Sequence, residues 1–247
     1  MKVLNVHLVF ITLIAGTGNA LADYEILFLG NSHSTQNNLA GLVTKLIRKA
    51  PGKPRVRAYA EPHWNFLAER LEDDVSQRIL EERDWTHVVL QAQKYSTSGR
   101  YSYPTTAAEE WIRRVRSIDA IPVMFPEWPL RGDRVEGQKI HNIHESIAAK
   151  EPACVAPVGL VWDLFISQES STKLHDPDGN HANENGVLLT AFVFYEVITG
   201  FPASELPFVP GNHVKEDTQK KMREAASLVI ANNPPCPERL TTLSTKQ

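Results

Sequence analysis

Several features that would announce a function directly are scarce or missing in this chain. Its 247 residues hold only two cysteines, Cys154 and Cys236, and neither has the His or Asn context of a cysteine nucleophile. No long run of like charge occurs, and the net charge is only −3. That balance leaves no electrostatic footprint for nucleic acid or for an anionic membrane. Repeats, low-complexity tracts and Ser/Gly linkers are absent as well. Residues 23–247 therefore read as one domain, long enough to bury a full core.

One apolar stretch stands apart from the rest. Leu8, Val9, Phe10, Ile11, Leu13 and Ile14 follow a positive start at Lys2 and precede Ala20-Leu21-Ala22, a small-x-small cleavage pattern. Residues 1–22 read as a secretory signal, because the run is too short and too interrupted to span a bilayer comfortably. The mature chain would begin at Asp23, with 25 basic and 29 acidic residues and no membrane span. A periplasmic or secreted location follows. There Cys154 and Cys236 can oxidise, and two readings stand: a disulfide tying the C-terminal tail to the last strand, or two separate thiols.

Beyond residue 23, short apolar runs alternate with longer helical patterns. The runs at Tyr24 to Leu29, Arg55 to Tyr59, Thr86 to Gln91, Ile121 to Phe125 and Cys154 to Val158 fit buried strands. Helical spacing covers Leu39 to Lys49, Trp64 to Glu82, Thr106 to Asp119, Gly137 to Lys150, Gly186 to Thr199 and Glu216 to Asn232. Such alternation predicts a flavodoxin-like three-layer α/β/α sandwich around a mainly parallel five-stranded sheet. Ligands in such folds bind beyond the carboxyl ends of the strands.

Two distant stretches place reactive groups at that edge. Leu27-Phe28-Leu29-Gly30-Asn31-Ser32 is an apolar run that breaks into a tight polar turn. A serine there has a rigid mount and an adjacent helix N-terminus, which a nucleophile needs. His175-Asp176-Pro177-Asp178-Gly179-Asn180-His181 is a polar loop before a helix. An Asp and a His three apart on one loop can orient and serve as the base for that serine. Asp176 competes with Asp178 for the carboxylate role.

These segments resemble the SGNH (GDSL-type) hydrolase superfamily. Gly30-Asn31-Ser32 stands where that family has Gly-Asp-Ser, and Asp178-Gly179-Asn180-His181 matches its Asp-x-x-His block. Ala156-Pro157-Val158-Gly159 is also familiar in such enzymes. The resemblance implies a serine esterase with Ser32 as nucleophile, His181 as base and Asp178 as its support, and no metal or organic cofactor. An exported member of the family often removes small acyl groups from glycans, so the implied substrate is an acylated small molecule or glycan. A fold that has lost turnover and serves for binding is the rival, and an O-acyltransferase is another.

The middle of the chain departs from the family pattern. No glycine follows the second strand, which runs into Ala60-Glu61-Pro62-His63, and Leu90-Gln91-Ala92-Gln93 replaces the usual Asn block. The expected oxyanion donors are the backbone N–H groups of Ser32 and of Ala60 or Glu61, with a glutamine amide in place of Asn. Gln93 is preferred over Gln91 because it lies farther past the strand. Trp128 and Trp64, each after a strand, could edge the pocket and stack on a sugar ring, or simply pack there. His33 reads as turn packing. A calcium loop fails, because counting from Asp176 puts His181 sixth and Val187 twelfth, where Gly and Glu are needed. His141-x-x-His144 reads as a surface helix face without a third ligand.

Overall fold

The computed structural model describes residues 23–237 and 240, so the signal-peptide reading of residues 1–22 lies outside the described residues. Five parallel strands form one sheet in the order β2-β1-β3-β4-β5: β1 (Tyr24–Leu29), β2 (Val56–Ala60), β3 (His87–Gln91), β4 (Ile121–Phe125) and β5 (Cys154–Val155). The period-2 alternation of β1 explains the layering. Ile26 and Phe28 enter one apolar cluster and Leu27 and Leu29 the other, all four without exposed surface. β3 and β4 alternate likewise, so neither face of the sheet meets water.

Helices cover both faces. On one side lie α2 (Leu39–Ile47), α7 (Val158–Gln168), α8 (Glu184–Thr199) and α9 (Glu216–Asn232). On the other lie α3 (Leu67–Leu71), α4 (Asp74–Glu81), α5 (Thr106–Ser117) and α6 (Glu136–Lys150). α1 (Ser32–Thr35) is a single turn following β1. Helix α8 is buried continuously from Gly186 to Ile198. Its Phe194 meets Phe28 and Phe125 edge-on, at centroid distances of 5.5 and 4.9 Å. Such pairs add about 0.5–1.5 kcal/mol each beyond simple burial. Among the described residues, no helix is long and apolar enough to cross a membrane.

Three local expectations are corrected. The helix expected from Trp64 to Glu82 is two helices, α3 and α4, because the Asp73 side chain caps α4 by accepting the N–H groups of Val75 and Ser76. The fifth strand stops at Val155, and α7 follows directly after Pro157, whose missing N–H suits a helix start. His141 and His144 are buried rather than on a surface face. His144 has no exposed surface and donates Nδ1–H to the Ile140 carbonyl, and burial lowers its pKa to about 4.

Cys154 and Cys236 are disulfide-bonded, with Cα atoms 4.1 Å apart across 82 positions. Val155 N–H also donates to Pro235 O at 2.7 Å. The tail is thus tied to the last strand twice.

Candidate active site

The strand order reverses between β1 and β3, and the crevice beyond their carboxyl ends is where an open α/β sheet binds ligands. β1 delivers Gly30, Asn31 and Ser32 to that point. Gly30 has to be glycine: a Cβ there would lie 2.1 Å from Ser34 Oγ and 2.3 Å from Gln91 Oε1. Asn31 caps α1, its side chain accepting the His33 N–H at 3.0 Å, so Ser32 is the first residue of the turn. The Ser32 N–H has no hydrogen-bond partner among the described residues.

The loop before α8 brings the second half. Ser32 Oγ lies 2.9 Å from His181 Nε2, and His181 Nδ1 lies 2.5 Å from Asp178 Oδ2. The other oxygen, Asp178 Oδ1, accepts the backbone N–H groups of Asn180 and His181 at 2.9 and 3.0 Å. Gly179, at φ +76°, provides the left-handed residue that closes this turn. The hydrogen bond from His181, then those from the two backbone N–H groups, hold the Asp178 carboxyl well below the usual carboxylate range. It is therefore ionised and oriented at neutral pH, although half exposed. Asp176 faces elsewhere, accepting from Gln36 Nε2 at 3.1 Å.

Neighbouring elements fix this loop. Trp128 Nε1–H donates to Asn180 O at 2.8 Å, Arg131 N–H donates to Gly179 O at 2.8 Å, and the Arg131 guanidinium reaches the carbonyls of Asp176 and Pro177. His33 stacks on His181 at a centroid distance of 5.3 Å and meets Trp128 edge-on at 4.7 Å. Burial, together with the nearby His181, lowers the His33 pKa to about 4, so His33 is a neutral packing partner. Trp128 itself is 4% exposed and stacked on Trp162, which leaves no face for a sugar; it braces the loop instead. Trp64 is the opposite case, 70% exposed, its Nε1–H directed at Thr35 Oγ1 at 3.3 Å, in the turn that carries Ser32.

The expected oxyanion donors sit differently. Glu61 N–H donates to Phe28 O at 3.0 Å, continuing the sheet ladder, and is committed there. The Gln93 amide donates to the carbonyls of Lys94 and Pro104, both at 3.0 Å, and so braces its own loop. The Gln91 side chain lies beneath the turn, Oε1 accepting from Asn31 N–H and Ser34 Oγ and Nε2 donating to Glu127. Neither glutamine amide can reach toward Ser32 without giving up these partners.

Arg70 is a site residue that sequence reasoning missed. It is fully buried, and its guanidinium donates to Glu61, Ser76, Gly30 O and His63 O. Leu67 N–H also donates to Ala92 O at 3.2 Å. The 61–66 loop is therefore bound to the ends of both β1 and β3. Among the described residues no cluster of His, Cys, Asp and Glu could hold a metal ion.

No protein-family model matches the chain, and no curated protein matches it in sequence. Solved structures do resemble it. A DUF4886 family protein from Bacteroides uniformis aligns over 87% of this chain and 97% of its own, with a TM-score of 0.68 and 15% identity. A proposed SGNH hydrolase from Slackia heliotrinireducens covers 70% of this chain and 97% of its own (TM-score 0.54, 23% identity). An acetyl xylan esterase covers 70% and 99% (TM-score 0.55, 12% identity). The chain thus has the fold of the SGNH (GDSL-type) hydrolase superfamily.

Proposed function

We propose that this protein is an exported serine ester hydrolase that acts through an acyl-enzyme. The observation that carries the reading is the continuous hydrogen-bonded chain from Ser32 through His181 to Asp178 at the sheet's switch point. Ser32 Oγ attacks an acyl carbonyl while His181 Nε2 takes its proton and returns it to the departing alkoxide. Asp178 holds the proton on His181 Nδ1, keeping Nε2 free to accept, and stabilises the imidazolium that forms. Water, deprotonated by the same imidazole, then releases the acid and restores Ser32.

The tetrahedral oxyanion needs donors aimed at it. Ser32 N–H is one. The substrate class we favour is an O-acetylated carbohydrate. The exposed Trp64 ring beside the nucleophile turn suits stacking on a pyranose, and an acetyl xylan esterase shares the fold. Cleavage after Ala22 and delivery to an oxidising compartment complete the reading, supported by the disulfide.

The test is acetate release from acetylated sugars and p-nitrophenyl acetate by wild type and Ser32→Ala. Hydrolysis that survives the substitution would overturn the assignment of Ser32. Transfer of the acyl group to an added sugar, in place of acetate release, would make the protein an acyltransferase. N-terminal sequencing of exported protein should begin at Asp23.

A further inference from the structure

Gln91 is fully buried at the end of β3 and is used on both sides of its amide. Its Oε1 accepts the Asn31 N–H at 2.6 Å and the Ser34 hydroxyl at 3.1 Å, the residues one before and two after Ser32. A backbone N–H can only donate, so the atom facing Asn31 must be the oxygen. The amide nitrogen then points the other way, to Glu127 Oε1 at 3.2 Å. Glu127 is itself buried at the end of β4, where an uncompensated carboxylate is costly. Burial raises its pKa to about 7, and nothing among the described residues pairs its second oxygen.

We infer that Gln91 is a positioning residue for the nucleophile turn, and that Glu127 sets the orientation of its amide. Reversed, the amide would aim Nε2 at the Asn31 N–H and leave that part-buried donor unpaired, while Oε1 would face the Glu127 carboxylate. Glu127 thus makes the productive orientation the favourable one. Through Gln91, the ends of β3 and β4 fix the turn that carries Ser32. This rests on the esterase reading for its kinetic consequence and on geometry alone for its structural one.

Three variants test it: Gln91→Leu, Gln91→Glu, and the exchange Gln91→Glu with Glu127→Gln. The single Glu variant keeps the acceptor for Asn31 and Ser34 but turns a second acceptor toward Glu127. The exchange restores one donor and one acceptor across the contact, with the same net charge as wild type. At pH 8, kcat for p-nitrophenyl acetate should fall about a hundred-fold in each single variant, with KM within about threefold, because misplacement by about 1 Å costs that much. The exchange should recover to within about tenfold of wild type.

Hydrogen exchange of the Asn31 amide reads the clamp independently of turnover. It should be protected in wild type and in the exchange variant, and fast in Gln91→Leu, which has no acceptor for it. Circular dichroism identifies any variant that has not folded, and the exchange variant then carries the test. Wild-type kcat and Asn31 protection in folded Gln91→Leu would overturn the inference, as would an exchange variant no better than Gln91→Glu. A wild type without esterase activity would overturn the proposed function, and Asn31 protection would still decide for or against the clamp.

Discussion

The Trp128 indole N–H donates to the Asn180 carbonyl at 2.8 Å, joining the end of the fourth strand to the loop that carries His181. This bond, with the stack of His33 on His181, sets the imidazole's distance from Ser32. Trp128→Phe keeps an aromatic ring and removes the donor. It should cost about 1 kcal/mol in urea unfolding and lower kcat more than it raises KM. An unchanged kcat would show that the loop holds its place without Trp128.

Asp178→Asn leaves the shape of the loop but offers His181 Nδ1 no fixed negative acceptor. The lowered pKa of Asp178 means that the carboxylate is ionised throughout the neutral range, so the loss should appear at every pH above about 5. A fall in kcat of about a thousand-fold or more is expected. Asp176→Asn, which touches only the contact to Gln36, should change kcat by less than about threefold.

Much of this arrangement is legible in the sequence. The five apolar runs hold the five strands, Gly30-Asn31-Ser32 follows the end of β1, and the Asp178-Gly179-Asn180-His181 loop between α7 and α8 meets it at that edge. Side-chain commitments are not legible in the same way. Gln91 and Gln93 look alike on paper, yet one reaches under Gly30 and the other turns back to Pro104, and only the packing decides which. Arg70 reads as one more charge on a surface helix, whereas four acceptors in three separate segments hold it in the interior. Strand counting puts Trp128 at the rim of the pocket, but α7, starting after Pro157, brings Trp162 over its face.

Glu127 predicts a specific dependence of stability on pH. Its folded pKa, about 7, lies above the ordinary 4.5, so the folded state holds a proton that the unfolded chain has already released between those values. Its contribution is fully present below about pH 4.5 and is lost as pH rises through 7. The buried histidines His87 and His144, lowered to about 4 by burial, act in the opposite sense. Their contribution is present above about 6.5 and lost as pH falls toward 4. Urea unfolding of Glu127→Gln and wild type should separate the two. The difference should shift in favour of the variant between pH 5 and pH 7.5, and a constant difference would contradict the raised pKa.

The disulfide closes a long loop between the sheet's edge and the tail. Replacing both cysteines by serine should lower stability in denaturant by about 2–4 kcal/mol. The Ser32 site lies at the switch point between β1 and β3, two strands from β5, so kcat below the unfolding transition should be retained. A large loss of kcat in the folded double variant would mean that the tail supports the site.

Covalent capture by a fluorophosphonate, read by intact mass and peptide mapping, tests Ser32 as the nucleophile most directly. One adduct per chain is expected, on Ser32, abolished by Ser32→Ala and slowed by about a hundred-fold or more in His181→Ala, whose serine has lost its base. An adduct on another residue would contradict it. So would a folded wild type that takes up no phosphonate at all.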